Sequence, residues 1–101
     1  MAKARALTKR VDETTRVRCA SGLGMIREEV WAGEDGQVAK YNLAFINHAL
    51  CRVDNGRVLG YDNAHGAHER HFKGAVKEYE FTSYEALVKT FLEEVRALRE
   101  E

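Results

Sequence analysis

The sequence contains no proline, only two cysteines and no long run of apolar residues. A bilayer-spanning helix needs about 18 to 20 mostly apolar residues, so none is predicted. Cys19 and Cys51 are far apart and lack a C-x-x-C partner, which argues against a disulfide framework and a structural zinc knuckle. The basic N-terminal segment has no hydrophobic stretch after it, so secretion is not predicted. We expect a cytoplasmic protein with no membrane partner and with two reduced cysteines in its core.

The composition is that of an ordinary globular protein. With 101 residues, 45% of them hydrophobic and 32% charged, the chain can bury one modest core. We expect residues 11–101 to form a single α+β domain and residues 1–10 to form a flexible basic arm.

The charge is unevenly distributed along the chain, although the net charge is zero. Residues 1–27 carry seven basic side chains and two acidic ones, which gives this segment a net charge of +5. Clustered lysines and arginines attract phosphates whatever the nucleic-acid sequence, so RNA or an acidic partner is one interpretation. A solvated basic tail is the other. The candidate phosphate-binding residues of this segment are Lys9, Arg10, Arg16 and Arg18.

Alternation of polar and apolar residues predicts an antiparallel sheet of about five strands. The predicted strands are residues 14–20, 25–32, 41–46, 57–61 and 76–81, the last of them at an edge. Between the third and fourth strands, the Asn55-Gly56 dipeptide favours a type I′ turn. Such a turn would fold the chain straight back on itself.

The C-terminal segment is predicted to form an amphipathic helix. The spacing of Thr82 and Glu85 is that of a capping box. The apolar stripe of the helix consists of Tyr84, Leu87, Val88, Phe91, Leu92, Val95 and Leu98. This stripe needs an apolar surface, so we expect the helix to pack on one face of the sheet and to bury Leu92. The other face would stay open to solvent or to a partner.

Three of the four histidines lie within seven residues after the fourth predicted strand. A pair of imidazoles can take and return a proton near neutral pH, and a guanidinium group can stabilise a phosphoryl group. RNA cleavage by 2′-hydroxyl attack uses these groups, with His68 and His71 as base and acid, Arg70 at the phosphorane and Lys73 at the phosphate. Such a pair predicts a bell-shaped pH–rate profile that a chelator does not change.

The geometry of this segment decides whether such a pair can form. If the backbone is extended, His68 and Arg70 point to one side and His71 points to the other. Convergence on one phosphate would then need a bulge or a helical turn.

Two other interpretations of the histidine segment stay open. His65, His68 and His71 are spaced by three residues and could bind a metal ion together with Asp62. Neither a cysteine nor a second ligand segment supports such a site, and Arg70 would repel a divalent cation, so we expect no metal and no cofactor. The segment could also be a polar loop with exposed histidines.

Three short motifs occur in a characteristic order: Tyr41-Asn42-Leu43-Ala44-Phe45, Gly60-Tyr61-Asp62-Asn63 and His68-Glu69-Arg70-His71. With the short strand and helix that follow, they make roughly residues 14–98 resemble the TumE-type toxins of bacterial and archaeal toxin–antitoxin pairs. The resemblance implies a type II toxin that is neutralised by a neighbouring antitoxin, usually one with a helix-turn-helix domain. The functional positions it implies are Asp62, Asn63, His68, Arg70 and His71.

Two functions are therefore compatible with the sequence. One is a metal-independent ribonuclease toxin that uses the histidine and arginine cluster. The other is a binding module that recognises protein or nucleic acid through its open sheet face and its edge strand, without catalysis. Either function is compatible with a homo-oligomer.

Overall fold

The computed structural model describes residues 6–101, which form a six-stranded antiparallel sheet and one α-helix. The strands are β1 (Thr8–Cys19), β2 (Gly22–Ala32), β3 (Val38–Ile46), β4 (Arg57–Asp62), β5 (Glu69–Phe72) and β6 (Ala75–Glu78), and helix α1 (Tyr84–Leu98) follows them. Each strand pairs with the next along the chain, so β1 and β6 are the edges of the sheet. The predicted α+β class is confirmed, with one strand more than the predicted number of about five.

The first hairpin is longer than the alternation of residues predicted. β1 begins at Thr8 rather than at position 14, and it pairs with β2 along its whole length. A bulge between Lys9 and Val11 interrupts the two-residue period there, which explains why this part of the strand was not recognised. Of the predicted flexible arm, residues 8–10 belong to β1, and residues 1–5 lie outside the described residues.

The connection from β3 to β4 differs from the predicted tight hairpin. Asp54, Asn55 and Gly56 all have positive φ angles, of 51°, 54° and 82°, as expected for an Asn-Gly turn. These three residues form a 3₁₀ turn at the end of a longer connection, however, because β3 ends at Ile46 and β4 begins at Arg57. The prediction of a two-residue type I′ turn is therefore wrong, although the positive φ angles were anticipated.

The core lies between the sheet and α1. Its largest fully buried side chains include Tyr41, Leu43, Phe45, Val58, Leu59 and Phe91. Cys51 is part of this core and Cys19 packs against it, and both thiols are free, as expected. Within residues 6–101, no helix is both long and apolar enough to cross a membrane.

Helix α1 begins one residue later than the capping box predicted. Ser83 rather than Thr82 is the N-cap, and its Oγ accepts a hydrogen bond from the backbone N–H of Ala86 at 3.1 Å. The helix buries Leu87, Phe91, Val95 and Leu98. Leu92 is 48% exposed, so the expectation that it is buried is wrong. It follows Phe91 directly, and one residue turns about 100° around a helix, which takes Leu92 away from the sheet.

The different environments of these neighbours predict different effects on stability. Phe91→Ala is expected to lower the free energy of unfolding by about 3–5 kcal/mol, because it removes a ring that is only 1% exposed. Leu92→Ala should lower it by less than about 1 kcal/mol. Denaturant unfolding of both variants measures the difference, and equal losses would show that Leu92 is covered in solution.

Candidate functional site

Hairpin β4–β5 carries most of the predicted site residues and divides them between the two sides of the sheet. Its cross-strand pairs are Gly60 with His71, Tyr61 with Arg70, and Asp62 with Glu69. Tyr61 and Arg70 face α1, where they contact its side chains. Because side chains alternate along a strand, Asp62, Glu69 and His71 face the side opposite α1, called the open face below.

Arg57 reaches the open face because of an irregularity in the pairing of β3 and β4. Arg57 and Leu59 pair with consecutive residues of β3, so Val58 is an extra residue in β4. The extra residue places Arg57 on the same side as Gly60, and the arginine side chain crosses this glycine. A Cβ atom at Gly60 would lie 2.6 Å from Arg57 Cδ, so the close approach requires glycine at this position.

Asp62, Glu69 and His71 form what we call the open-face cluster. Their candidate ligand atoms all lie within 4.8 Å of one another. Asp62 and His71 are buried, with 7% and 9% of their surfaces exposed. Asp62 Oδ2 is 2.9 Å from His71 Nε2 but lies too far off the ring N–H direction for a hydrogen bond, so Nε2 has no hydrogen-bond partner within residues 6–101.

The guanidinium of Arg57 lies at the border of the open-face cluster. Its Nη1 is 3.5 Å from Asp62 Oδ2, and its Nε donates a hydrogen bond to Asp54 Oδ2 at 2.7 Å. The site thus combines an imidazole, carboxylates and a guanidinium. These groups can transfer protons and neutralise a phosphate.

A shallow groove of about 290 Å³ lies beside this cluster on the open face. It is lined by Arg27, Asn42, Ala44, Ile46, Asp54, Asn55 and Arg57. Ala44 pairs with Arg27 on one side and with Gly60 on the other, and Gly60 in turn pairs with His71. The small side chain of Ala44 keeps the middle of this row low, whereas Gly60 is covered by the side chain of Arg57. Arg27 and Arg57 therefore border the depression, and Arg57 separates it from His71.

His68 lies on the side of the sheet that faces α1. Its Nδ1 is hydrogen-bonded to the Tyr41 hydroxyl at 2.7 Å, and that hydroxyl also contacts the hydroxyl of Tyr79. The imidazole stacks on Phe81, with ring centroids 4.2 Å apart and an interplanar angle of 6°. Glu69–Phe72 is a regular strand without the bulge or helical turn that convergence needs. The structure does not bring His68 and His71 together.

Arg70 also faces α1. Its Nε donates a hydrogen bond to the Tyr61 hydroxyl at 3.0 Å, and its guanidinium forms an ion pair with Glu94 of the helix. The Tyr61 hydroxyl donates to the same carboxylate. Arg70 thereby connects β5 to α1, and its charge is already neutralised.

Two further predicted residues make contacts with other parts of the fold. Asn63 Oδ1 accepts a hydrogen bond from the backbone N–H of Tyr41, and Asn63 Nδ2 donates one to the carbonyl of Ala39, both at 3.0 Å. These two hydrogen bonds fix the Asn63 side chain to the first residues of β3. Lys73 has a positive φ of 47° in the turn after β5, and its Nζ is 3.8 Å from Glu101 Oε1.

The predicted phosphate-binding residues of β1 differ in their freedom to bind an anion. Lys9 Nζ is 2.9 Å from each of two carboxylates. Arg10, Arg16 and Arg18 are exposed. Arg16 and Arg18 face the open side, because Val17 between them packs against the core. The open face therefore continues into a basic strip along β1.

A comparison with protein-family models gives one match, to the family described as Toxin TumE, over residues 8–99. The chain belongs to the TumE toxin family. No curated protein and no solved structure gives a significant match. The resemblance seen in the short motifs is confirmed, and the protein is a toxin of a toxin–antitoxin system with an antitoxin as its partner.

Two residues at the open face of this TumE toxin were not among the predicted site residues. Glu69 has the same strand parity as His71, so the alternation within the motif could have identified it. Arg57 offered no such signal, because its direction depends on the extra residue Val58. A bulge leaves no recognisable pattern in a single sequence.

All four tyrosines of the TumE toxin pack on the side of the sheet that faces α1. Burial and the hydrogen bond to Glu94 raise the pKa of Tyr61 to about 12. Burial also raises the pKa of Tyr41, and burial together with polar contacts raises those of Tyr79 and Tyr84. The tyrosine hydroxyls are thus held in their neutral form.

The raised pKa values predict a loss of stability in alkali. Tyrosines of the unfolded chain ionise near pH 10, whereas Tyr61 of the folded toxin ionises near pH 12. The unfolded state therefore releases protons first, and the free energy of unfolding falls as the pH rises through this interval. Phenolate absorbance should increase together with the loss of circular dichroism. Phenolate formation at pH 10 with intact circular dichroism would contradict the buried hydroxyl network.

Proposed function

We propose that this TumE-family toxin belongs to a type II pair, acts in the cytoplasm and cleaves RNA at its open face without a metal cofactor. The observation that supports this best is the position of the open-face cluster, beside Arg57 and next to a groove bordered by arginines. Proton-transferring groups and the guanidinium of Arg57 lie together there, on a side of the sheet that an extended polymer can approach.

The chemistry required is attack of a 2′-hydroxyl on the neighbouring phosphorus, with departure of the 5′-oxygen. The carboxylate of Glu69, whose side chain is 22% exposed, takes the proton of the 2′-hydroxyl. His71 gives a proton to the departing 5′-oxygen through Nδ1, since its Nε2 faces Asp62. The products are a 2′,3′-cyclic phosphate and a free 5′-hydroxyl.

The arginines of the open face supply the positive charge in this proposal. Arg57 approaches Asp62 to 3.5 Å, so a phosphate at the cluster would also meet its guanidinium. Arg27 lies further along the groove but is ion-paired with Asp12 at 2.7 Å, so the exposed Arg16 and Arg18 of β1 are the side chains that can hold a further phosphate. The small side chain of Ala44 lets the RNA backbone approach the sheet beside Arg57.

The roles predicted from the sequence change accordingly. The proposed site keeps His71 and Asp62, takes Glu69 as the base in place of His68, and uses Arg57 in place of Arg70. His68, Arg70 and Asn63 become positioning residues, which hold hairpin β4–β5 against the helix and against β3.

RNA cleavage by the purified toxin tests this assignment. His71→Ala and Arg57→Ala are each expected to lower the cleavage rate about 100-fold or more, because each removes a group that acts on the reacting phosphate. His68→Gln is the matched control, since it removes an imidazole on the opposite side while its amide can still form a hydrogen bond with the Tyr41 hydroxyl, so the hairpin and most of the activity should be kept. A chelator should leave the wild-type rate unchanged. On induced expression, cells with His71→Ala or Arg57→Ala should grow, whereas the wild type and His68→Gln should inhibit growth.

Two outcomes would contradict the proposed site. If His68→Gln abolished cleavage and His71→Ala did not, the chemistry would lie on the helix side. If both His71→Ala and Arg57→Ala stayed toxic at matched abundance, the toxin would act by binding alone. The edge strands β1 and β6 favour this second function, because an edge can pair with a strand of a target protein.

The type II assignment predicts a protein antitoxin, and we expect one with a helix-turn-helix domain that covers the open face. Leu23 and Met25 are 67% and 37% exposed, and with Arg16 they line an apolar depression of about 300 Å³. Co-expression with the neighbouring small gene should yield a complex that co-purifies. Leu23→Asp should weaken the complex, whereas Leu92→Asp on the helix should not.

Size-exclusion chromatography of the same complex also measures its oligomeric state. Equal weakening by both aspartate variants would show that the antitoxin does not use the open face. A neighbouring product that neither co-purifies nor restores growth would contradict the type II assignment.

A further inference from the structure

The ring nitrogen Nε2 of His71 is buried and lacks a hydrogen-bond partner within the described part of the chain. An orphaned buried polar atom is costly, and few occur in native proteins. Asp62 Oδ2 lies 2.9 Å away without the alignment of a hydrogen bond. Two donors bound to one cation at about 2.1 Å lie about 3.0 to 3.4 Å apart for bond angles between 90° and 109°. The 2.9 Å between Asp62 Oδ2 and His71 Nε2 is close to the lower end of this range, so a small movement lets both atoms bind one cation.

Glu69 provides a third ligand at the same place. It pairs with Asp62 across the strands and lies two residues from His71, so all three side chains project from one hairpin on one face. Their donor atoms lie within 4.8 Å of one another. Small rotations of the Glu69 side chain, which is partly exposed, can close the remaining gap.

The charge of the surroundings also favours a cation. The carboxylates of Asp54, Asp62 and Glu69 outnumber the single guanidinium of Arg57. That guanidinium is anchored to Asp54 by a hydrogen bond of 2.7 Å, so it can stay in place when a cation binds Asp62. The repulsion that the sequence predicted from Arg70 does not arise, because Arg70 faces α1 and is paired with Glu94.

We propose that the open-face cluster binds a divalent transition-metal cation of the Zn²⁺ type and that the bound cation switches off the toxin. One imidazole and two carboxylates are ligands that suit Zn²⁺, whereas Mg²⁺ prefers oxygen ligands and retains its water. The cation binds the carboxylate of Glu69, the proposed base, so this group can no longer take the proton of the 2′-hydroxyl. The inhibition rests on the proposed RNA cleavage, but the binding of the cation does not.

Calorimetric titration of the tag-free toxin with Zn²⁺ tests the binding. We expect one Zn²⁺ per chain and much weaker binding of Mg²⁺. Glu69→Gln and Asp62→Asn keep the size of each side chain and should each weaken Zn²⁺ binding by roughly tenfold or more. His48→Ala is the matched control, because it removes an exposed imidazole outside the cluster and should leave the affinity unchanged. Circular dichroism verifies that each variant is folded.

Titration with Co²⁺ identifies the ligands independently of activity. A visible spectrum without a thiolate charge-transfer band is expected, and such a band would place the cation at Cys19 or Cys51 and overturn the site. Unchanged affinity in both Glu69→Gln and Asp62→Asn, or equal affinity for Mg²⁺ and Zn²⁺, would also overturn it.

The RNA cleavage assay separates the two proposals. Stoichiometric Zn²⁺ is expected to stop cleavage, and a chelator should restore it. If Zn²⁺ bound at the cluster while cleavage continued, the proposed inhibition would be wrong and the proposed metal site would stand. A toxin that binds Zn²⁺ as expected but cleaves no RNA under any condition would contradict the proposed function alone.

Discussion

The antiparallel register of β4 and β5 determines what each side of this protein can do. Gly60 opposite His71 and Tyr61 opposite Arg70 assign alternate residues of one short motif to opposite sides of the sheet. A shift of the register by one residue would exchange the two sets and bury the open-face cluster beneath the helix. The hairpin is therefore the element on which both the core and the site depend.

The side chains beneath the hairpin stabilise this register. Arg70 and Tyr61 share the carboxylate of Glu94, which links both strands to α1. His68 is held in the same way by the Tyr41 hydroxyl and by stacking on Phe81. His68 and Arg70, which the sequence predicts to be catalytic residues, thus hold the backbone of the hairpin in place from the side that faces α1. The open-face side chains stand on a hairpin with little freedom to move, as a precise site requires.

The sequence predicted those features that depend on local periodicity. The buried stripe of α1 and the β-parity of the histidine motif follow from periods of 3.6 and two residues, and both were anticipated. Other features depend on tertiary structure. The bulge at Val58 turns Arg57 to the open face, and the choice of Ser83 over Thr82 as N-cap depends on where the chain leaves the sheet. Leu92 belongs to the apolar stripe in sequence, but it lies about 100° around the helix from the buried Phe91 and is 48% exposed.

The order of the elements has a consequence for the synthesis of the toxin. All six strands precede α1 in the chain, and the side of the sheet with Phe45 and Leu59 is covered largely by that helix. Until the ribosome has released residues 84–98, the nascent chain is a sheet with one bare apolar side, a state prone to aggregation. We therefore expect a chain that ends before the helix to aggregate rather than to reach the folded state of the toxin.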